Sequence, residues 1–183
     1  MAKTPYDIDL GRSPANYQPL TPVGFLERAA AVFPNHTAII HGPLRRSYRE
    51  FYARSRKLAS ALSKRGIKRG DTVSALIANT PAMLECHYGV PMCQAVLNTL
   101  NTRLDAAIIA FSLDHADAKV VIVDREFSAV MKDALARAKV KPLVIDYDDK
   151  EFTGAGERIG TIDYEEFIAQ VTTLPTLSRC APR

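Results

Sequence analysis

The sequence predicts an α/β protein with an open, mostly parallel sheet that has helices on both faces, preceded by a helix and a β-hairpin. Short apolar runs rich in β-formers alternate with helical patterns between residues 72 and 145. The run at 119–123, KVVIV, is almost entirely apolar, as is typical of a strand covered on both faces of a sheet. Because strand–helix–strand units cross over in a right-handed sense, we expect parallel pairing of these strands.

The N-terminal part of the chain predicts an arm followed by a helix. Residues 1–20 are rich in proline and polar residues without periodicity, so we expect an extended arm. Thr21 can cap a helix, and Pro22 suits its first turn. Apolar residues recur at helical spacing after this point, and Pro34 should end the helix.

A hairpin and a basic helix come next. Residues 37–41 and 44–47 are short β-like runs separated by a Gly-Pro turn. Ser47 and Glu50 have the spacing of a capping box, which predicts the start of a helix. Gly66 can end that helix in a left-handed conformation.

The stretch 70–104 predicts a strand, a turn, a helix and a second strand. Residues 72–77 form the first apolar run, and Pro81 is well placed as the first residue of the helix. The second run, at 95–97, is followed by the polar sequence NTLN, which we expect to be a loop.

The remaining pattern continues the alternation of helices and strands. Asp105 should cap a helix that precedes the strand at 119–123. The predicted elements that follow are a helix, a strand, an acidic loop, a short helix and an irregular tail, at 127–138, 142–145, 147–160, 163–170 and 171–183.

Composition and charge exclude several classes of protein. The 183 residues are 47% apolar and 24% charged, as in ordinary globular proteins, and no apolar run reaches the length of a membrane span. The first 22 residues contain no apolar stretch that could act as a signal sequence, so we expect a cytoplasmic location. The three cysteines form no CxxC pair, and we expect Cys86 and Cys93 to be small buried apolar residues.

The net charge of +4 comes largely from one basic stretch between residues 45 and 69. Nucleic-acid binding is one interpretation of such a stretch. A solvated helix face is the other, and it is favoured because apolar residues repeat at helical spacing opposite Arg49, Arg56, Lys57 and Lys64. Aromatic residues that could stack on bases are not interleaved with these cations. We therefore expect no nucleic-acid partner.

No self-sufficient catalytic or metal-binding motif is present in the sequence. The segment 154–160, GAGERIG, comes close to a dinucleotide fingerprint, but its third glycine is one residue late and carboxylates surround it. We interpret it as a mobile surface loop. His115, between Asp114 and Asp117, is expected at the polar end of a helix. We assign no catalytic, cofactor-binding or metal-binding residue.

Several segments together resemble the N-terminal part of AMP-forming acyl-CoA synthetases, which belong to the adenylate-forming superfamily. The resemblance covers residues 20–170, and its order and spacing are more specific than any one segment. The segments that carry it are 47–51 (SYREF), 66–73 (GIKRGDTV), 79–81 (NTP), 95–101 (AVLNTLN) and 119–124 (KVVIVD). One departure is Gln94, where the family usually has a glycine that allows close helix–strand packing.

The resemblance implies a two-step ligase that joins a carboxylic acid to coenzyme A through an acyl-adenylate. Such enzymes use ATP, Mg²⁺ and coenzyme A, and a short- to medium-chain fatty acid is the expected substrate. Family members are roughly three times as long, and their phosphate loop and catalytic lysine lie outside this sequence. His87, Tyr88 and Asn98 are candidates for lining the acyl or coenzyme A side, although packing or turn roles are favoured for each of them.

Two hypotheses about function follow. In the first, residues 21–170 are a partial N-terminal domain of an acyl-CoA synthetase, and the isolated chain is inactive. In the second, the chain is a stand-alone α/β binding or interaction module without catalysis, which can self-associate through an exposed surface left by truncation.

Overall fold

The structure is a computed structural model that describes Tyr17 and residues 20–171. The predicted arm at 1–20 and the predicted tail at 171–183 lie almost entirely outside the described residues. The elements run α1 (Pro22–Val32), β1 (Thr37–His41), β2 (Leu44–Ser47), α2 (Tyr48–Lys64), β3 (Thr72–Leu76), α3 (Pro81–Met92), β4 (Val96–Thr99), α4 (Ala106–His115), β5 (Ala118–Asp124), a 3₁₀ turn (Arg125–Phe127), α5 (Ser128–Arg137), β6 (Leu143–Tyr147), β7 (Ile162–Asp163) and α6 (Tyr164–Ala169).

The predicted fold class is confirmed. Strands β1 and β2 form an antiparallel hairpin, and the other strands form a five-stranded parallel sheet in the order β4-β3-β5-β6-β7. The chain leaves β3 for β4 on one side and then returns to β5 on the other side of β3. This reversal places a topological switch point between β3 and β5.

Two apolar layers cover the sheet. On one face, α2, α3 and α6 pack over side chains of the central strands that include Val73, Val120 and Ile122. On the other face, α4 and α5 pack over a set that includes Val121 and Val123. Alternate residues of β5 thus serve opposite cores, which is why this strand is apolar throughout. A third cluster joins α1 and the hairpin to α2.

The predicted helix starts are confirmed by their capping bonds. Thr21 Oγ1 accepts a hydrogen bond from the Gly24 amide at 3.2 Å. Ser47 and Glu50 form the reciprocal capping box, and the bonds from Ser47 hold the pKa of Glu50 below its ordinary value. Asp105 and Asp163 cap α4 and α6 by accepting hydrogen bonds from amides of the first turn. Each cap satisfies amide groups that the first turn of a helix leaves unpaired.

Several predicted boundaries were wrong at the sheet. Strand β4 covers Val96–Thr99, not 95–97, because Asn98 pairs with Ser74 of β3 and donates a 3.1 Å hydrogen bond to its hydroxyl. The polar residues predicted to be a loop are therefore partly strand. The two-residue strand β7, which pairs with β6, was not predicted.

Gln94 differs from its predicted role. Its φ is +64°, so the residue at which the family usually has glycine adopts the left-handed conformation directly after α3. We expected a glycine here to serve close packing. The structure indicates instead that the position requires a backbone geometry that glycine adopts at little cost and that a residue with a Cβ adopts only with strain.

Within the described part of the chain, no helix is long and apolar enough to cross a bilayer.

Candidate functional site

A cleft opens between the hairpin and the start of α3, next to the carboxyl end of β3. It has a volume of about 390 Å³. Its walls come from β1 of the hairpin and the first two turns of α3. The lining residues are Ala38, Ile39, Ile40, His41, Asn79, Thr80, Pro81, Met83, Leu84 and His87. The carboxyl ends of parallel strands are the edge of a sheet where α/β proteins bind ligands, so this is the candidate functional site.

Two histidines line the cleft, and each is oriented by a partner. His41 Nε2 lies 2.8 Å from Asp149 Oδ1, which joins the hairpin to the loop after β6. His87 Nδ1 lies 2.9 Å from the backbone oxygen of Met83. Because a carbonyl oxygen only accepts, Nδ1 of His87 carries the hydrogen, and Nε2 is left to accept in the neutral ring.

The start of α3 lacks a side-chain cap. Thr80 occupies the capping position with extended backbone geometry, but its side chain makes no capping hydrogen bond. Its buried hydroxyl lies within reach of the Tyr147 phenol, and this contact partly offsets the rise that burial causes in the pKa of Tyr147. Pro81 has no amide hydrogen, and the amides of Ala82 and Met83 have no acceptor inside the helix.

Acidic residues cluster at the carboxyl ends of the neighbouring strands. Asp124 ends β5 and is fully buried, and this burial raises its pKa to about 6. Burial also raises the pKa of Tyr147, at the end of β6, to about 12. Asp148 is bound by Lys150 and Arg125, which lower its pKa. No group of carboxylate, histidine and cysteine side chains that could hold a metal ion occurs among residues 20–171.

A buried carboxylate lies behind the cleft and was missed in the sequence. Glu85 of α3 has no exposed surface, and it accepts hydrogen bonds from Arg46 at 2.7 Å, Arg54 at 2.6 Å and the Tyr164 hydroxyl at 2.8 Å. Arg54 also binds Glu165 at 2.6 Å. We call these five residues the Glu85 network. The sequence did offer one indication of this buried carboxylate: Glu85 is the single charged residue in the otherwise largely apolar helical stretch 81–92.

The Glu85 network revises the interpretation of the basic stretch. Burial alone would lower the pKa of Arg54, but its bonds to Glu165 and Glu85 raise it above the ordinary value. Arg46 and Arg54 are therefore structural cations. Of the cations predicted on a solvated face, Arg49 and Lys64 are exposed, whereas Arg56 and Lys57 are half-buried. Burial and the charge of Glu85 raise the pKa of Tyr164 well above its ordinary value.

The structure brings only one of the three candidate lining residues to the cleft. His87 lines it. Tyr88 packs edge-on against Phe51, with ring centroids 5.2 Å apart, and belongs to the core under α1. Asn98 is bonded to Ser74 within the sheet. Packing and pairing roles account for the last two residues.

The glycine-containing loop has a structural role at the sheet. Asp146 Oδ1 accepts hydrogen bonds from the amides of Ile159 and Gly160, each at 3.0 Å. A Cβ atom on Gly156 would lie 2.2 Å from the backbone oxygen of Arg125. The absence of a side chain at Gly156 allows the loop to pass close to the backbone of Arg125. The amides of Ile159 and Gly160, which a nucleotide site in this loop would use, are already bound to the Asp146 carboxylate.

Two of the other sequence interpretations can also be compared with the structure. Cys86 is fully buried, which raises the pKa of its thiol, and Cys93 is partly buried with its thiol donating to the oxygen of Val90. Asp114 lies near the end of α4, as expected, and accepts the amide hydrogens of Lys139 and Val140.

Comparison with known proteins identifies the family. The family of AMP-binding enzymes matches residues 26–172. A peroxisomal acetate/butyrate–CoA ligase of Arabidopsis thaliana is 45% identical over 92% of this chain, which corresponds to 32% of the ligase. An acetate–CoA ligase of Humulus lupulus is 41% identical over 87% of this chain and 30% of its own length. The chain thus spans about a third of the length of these curated relatives.

A solved structure has the same fold. The crystal structure of an anthranilate CoA ligase in complex with anthranoyl-AMP matches with a TM-score of 0.74 over 86% of this chain and 30% of that chain, at 21% identity. The resemblance drawn from the sequence is confirmed. The chain belongs to the family of AMP-binding enzymes.

Proposed function

We propose that the chain is part of an AMP-forming ligase that joins a carboxylic acid to coenzyme A. The observation that carries this proposal is the 45% identity to an acetate/butyrate–CoA ligase over 92% of the chain. In the first step, a carboxylate oxygen attacks the α-phosphorus of ATP and pyrophosphate leaves. In the second step, the thiolate of coenzyme A attacks the acyl carbon and AMP leaves. ATP, Mg²⁺ and coenzyme A are the proposed cofactors and co-substrate.

Within that ligase, the described residues act as scaffold. The parallel sheet holds the ends of β3, β5 and β6 at one edge, and the Glu85 network fixes the hairpin against α3. We assign no catalytic residue to this chain. Adenylation depends on donors and a magnesium ion placed around the phosphates, and we expect the rest of the ligase to supply them.

The chemical nature of the acid remains a proposal. A short- to medium-chain aliphatic acid is our expectation, and the names of the two relatives, which mention acetate and butyrate, agree with its short end. The relatives include peroxisomal proteins as well as some whose names give no compartment. A cytoplasmic location stays a prediction, to be tested by fluorescence microscopy of the tagged protein in its source cell.

A chimera tests the ligase proposal. Residues 26–172 would replace the matching segment of the Arabidopsis acetate/butyrate–CoA ligase, and we expect a soluble chimera that forms butyryl-CoA from butyrate, ATP and coenzyme A. The unmodified ligase is the positive control. A chimera that is soluble and cooperatively folded but forms no acyl-adenylate would contradict the proposal.

The isolated chain is expected to be inactive. Purified protein should show no exchange of pyrophosphate into ATP in the presence of acetate, butyrate or benzoate. Exchange that copurifies with the 183-residue protein would disprove this expectation.

The alternative is a stand-alone binding or interaction module. Several large apolar side chains on the surface favour it: Phe25, Val32, Val96, Ile108 and Phe111 are each about half exposed or more. Such a surface predicts self-association, which sedimentation velocity at several protein concentrations would reveal. A concentration-independent monomer would argue against this alternative.

A further inference from the structure

Helix α4 is apolar on its outer face as well as on the face that covers the sheet. Ile109 and Leu113 are buried in the core that α4 and α5 form over the strands. At about 3.6 residues a turn, Ile108 and Phe111 lie on the opposite face, where they are 47% and 67% exposed. A surface helix ordinarily carries polar and charged residues at such positions. The outer face of α4 therefore has the composition of a face that packs against a partner.

His115 extends this face toward the end of the helix. It lies four residues after Phe111, and the two rings stack with their centroids 5.6 Å apart and an angle of 14° between their planes. His115 is also exposed. Ile108, Phe111 and His115 thus follow one another at intervals of three and four residues, which is the spacing of the seam between paired helices. We call these three residues the α4 stripe.

The two ends of the α4 stripe have complementary chemistry. Asp105 is exposed at the start of the helix and contributes a carboxylate, whereas His115 lies in the last turn and can carry a positive charge. In a pair of α4 helices that run in opposite directions, each His115 lies beside Asp105 of the other copy, and the two helix dipoles are opposed, which is favourable. The stripe is therefore complementary to a second copy of itself.

The rest of α4 also permits the approach of a second copy. Asp114 is the only carboxylate within the helix, and it already accepts the amide hydrogens of Lys139 and Val140. Ala107 and Ser112, which flank the stripe on either side, are small and uncharged. Two such helices therefore meet neither a large side chain nor a lysine or arginine of α4 along their line of contact.

We propose that two copies of this chain associate through the α4 stripe, with the two helices antiparallel about a twofold axis that passes between Ile108 and Phe111. Ile108 of each copy then packs against Phe111 of the other. Because one helix face buries little area, we expect a weak dimer with a Kd of about 10–100 µM. The dimer gives the self-association of the stand-alone alternative a defined surface. It does not depend on the ligase reaction, so failure of the chimera would leave it standing.

Sedimentation equilibrium of the purified 183-residue protein, at concentrations below and above this Kd, measures the association. We expect Phe111→Lys to weaken the dimer by about tenfold, because each copy would bury a charge against Ile108 of the other. Ile40→Lys is the matched control, since Ile40 lies on the hairpin and is also 67% exposed. This control should leave the Kd unchanged. Because both side chains are largely exposed, both variants should have the circular dichroism and unfolding midpoint of the parent.

Two outcomes of this experiment would overturn the proposal. One is a chain that stays monomeric over the whole range, which would leave the α4 stripe to another protein or to another segment of the ligase. The other is an equal loss of association in Phe111→Lys and Ile40→Lys, which would mean that exposed apolar surface in general drives the association. Neither outcome bears on the ligase proposal, which the chimera tests.

A mixture of two variants tests the direction of the helices. Ile108→Lys and Phe111→Glu should each dimerise poorly alone. In an antiparallel pair formed from one copy of each, the introduced cation meets the introduced carboxylate, so we expect the equimolar mixture to associate about fivefold more tightly than either variant. A mixture of Ile40→Lys and Phe111→Glu is the control and should show no such gain. An absence of gain in the first mixture, or an equal gain in the control, would overturn the antiparallel arrangement.

Discussion

Arg46 on the hairpin donates a 2.7 Å hydrogen bond to Glu85, which is fully buried on α3. This bond ties the hairpin to α3, and the bond from Arg54 ties α2 to the same carboxylate. Without the Glu85 carboxylate, the largely buried Arg46 loses the counter-charge that it binds, Arg54 keeps only Glu165, and the Tyr164 hydroxyl loses the carboxylate to which it donates.

We expect Glu85→Gln to reduce the free energy of unfolding by about 3–5 kcal/mol, the usual cost of breaking a buried ion pair by removing one partner. Urea unfolding at neutral pH, followed by circular dichroism, measures this change. Glu165→Gln is the matched control, because the Glu165 side chain is 55% exposed and its loss should cost under about 1 kcal/mol. Equal unfolding midpoints for the two variants would contradict the prediction.

Gly89 fixes the separation between α2 and α3. A Cβ atom at this position would lie 2.8 Å from the backbone oxygen of Ser55 and 2.8 Å from Leu58 Cδ2. We therefore expect Gly89→Ala to destabilise the protein by about 1–3 kcal/mol, although alanine is the better helix former. Gly24→Ala in α1 is the control, since its Cβ would meet only Thr21 Oγ1 at 3.5 Å. Thermal unfolding should separate the two, and a Gly89→Ala protein as stable as Gly24→Ala would show that the helices can move apart.

Gln94 should be a site of backbone strain. Because its φ is +64°, we expect Gln94→Gly to raise the free energy of unfolding by about 1 kcal/mol. Gln94→Ala keeps the Cβ and removes the amide, so it reports any contribution of the side chain without relieving the strain. The prediction requires glycine to exceed both alanine and glutamine in urea unfolding, and any other order would disprove it.

Asp124 makes stability depend on pH. Its folded-state pKa of about 6 lies above the ordinary value of 3.8, so between these two values the folded protein binds more protons than the unfolded chain. Stability should fall as the pH rises from about 4 to about 6 and then level off, with a total penalty of about 3 kcal/mol at pH 7. Burial is the main cause of this shift, and the negative charge of Asp149 adds to it.

Asp124→Asn removes this titration and keeps an oxygen that can accept from the Glu126 amide, as Asp124 Oδ1 does at 3.2 Å. The difference in unfolding free energy between variant and parent should be small near pH 4 and should increase up to about pH 6 in favour of the variant. Guanidinium unfolding at a series of pH values measures this difference. A difference that does not change with pH would exclude Asp124 as the titrating group.

The parts of the fold that depend on local sequence were predicted well. The capping residues Thr21, Ser47 and Asp105 act through amides within three positions along the chain, so the signal and its effect lie together in the sequence. The nearly continuous apolar run at 119–123 predicts that both faces of β5 are covered, as they are in the structure. The antiparallel hairpin follows from a Gly-Pro turn between two β-like runs.

What could not be predicted depends on contacts between distant segments. Strand β7 has two residues and exists because Ile145 and Asp146 lie beside it. The extent of β4 depends on a bond between Asn98 and Ser74. The cleft needs the hairpin and the start of α3 to face each other, and no periodicity in either segment indicates this. For the same reason, the sequence offered His87 as a candidate but did not distinguish it from Tyr88 and Asn98.

The Glu85 network also has a consequence for synthesis of the chain on the ribosome. Arg54 and Glu165 are 111 residues apart, so a nascent chain that ends before Tyr164 holds Glu85 and the two arginines without two of their partners. We therefore expect the hairpin and α2 to be protected from hydrogen exchange only after α6 has emerged. Folding during synthesis would then stay at a loosely docked stage until α6 is available.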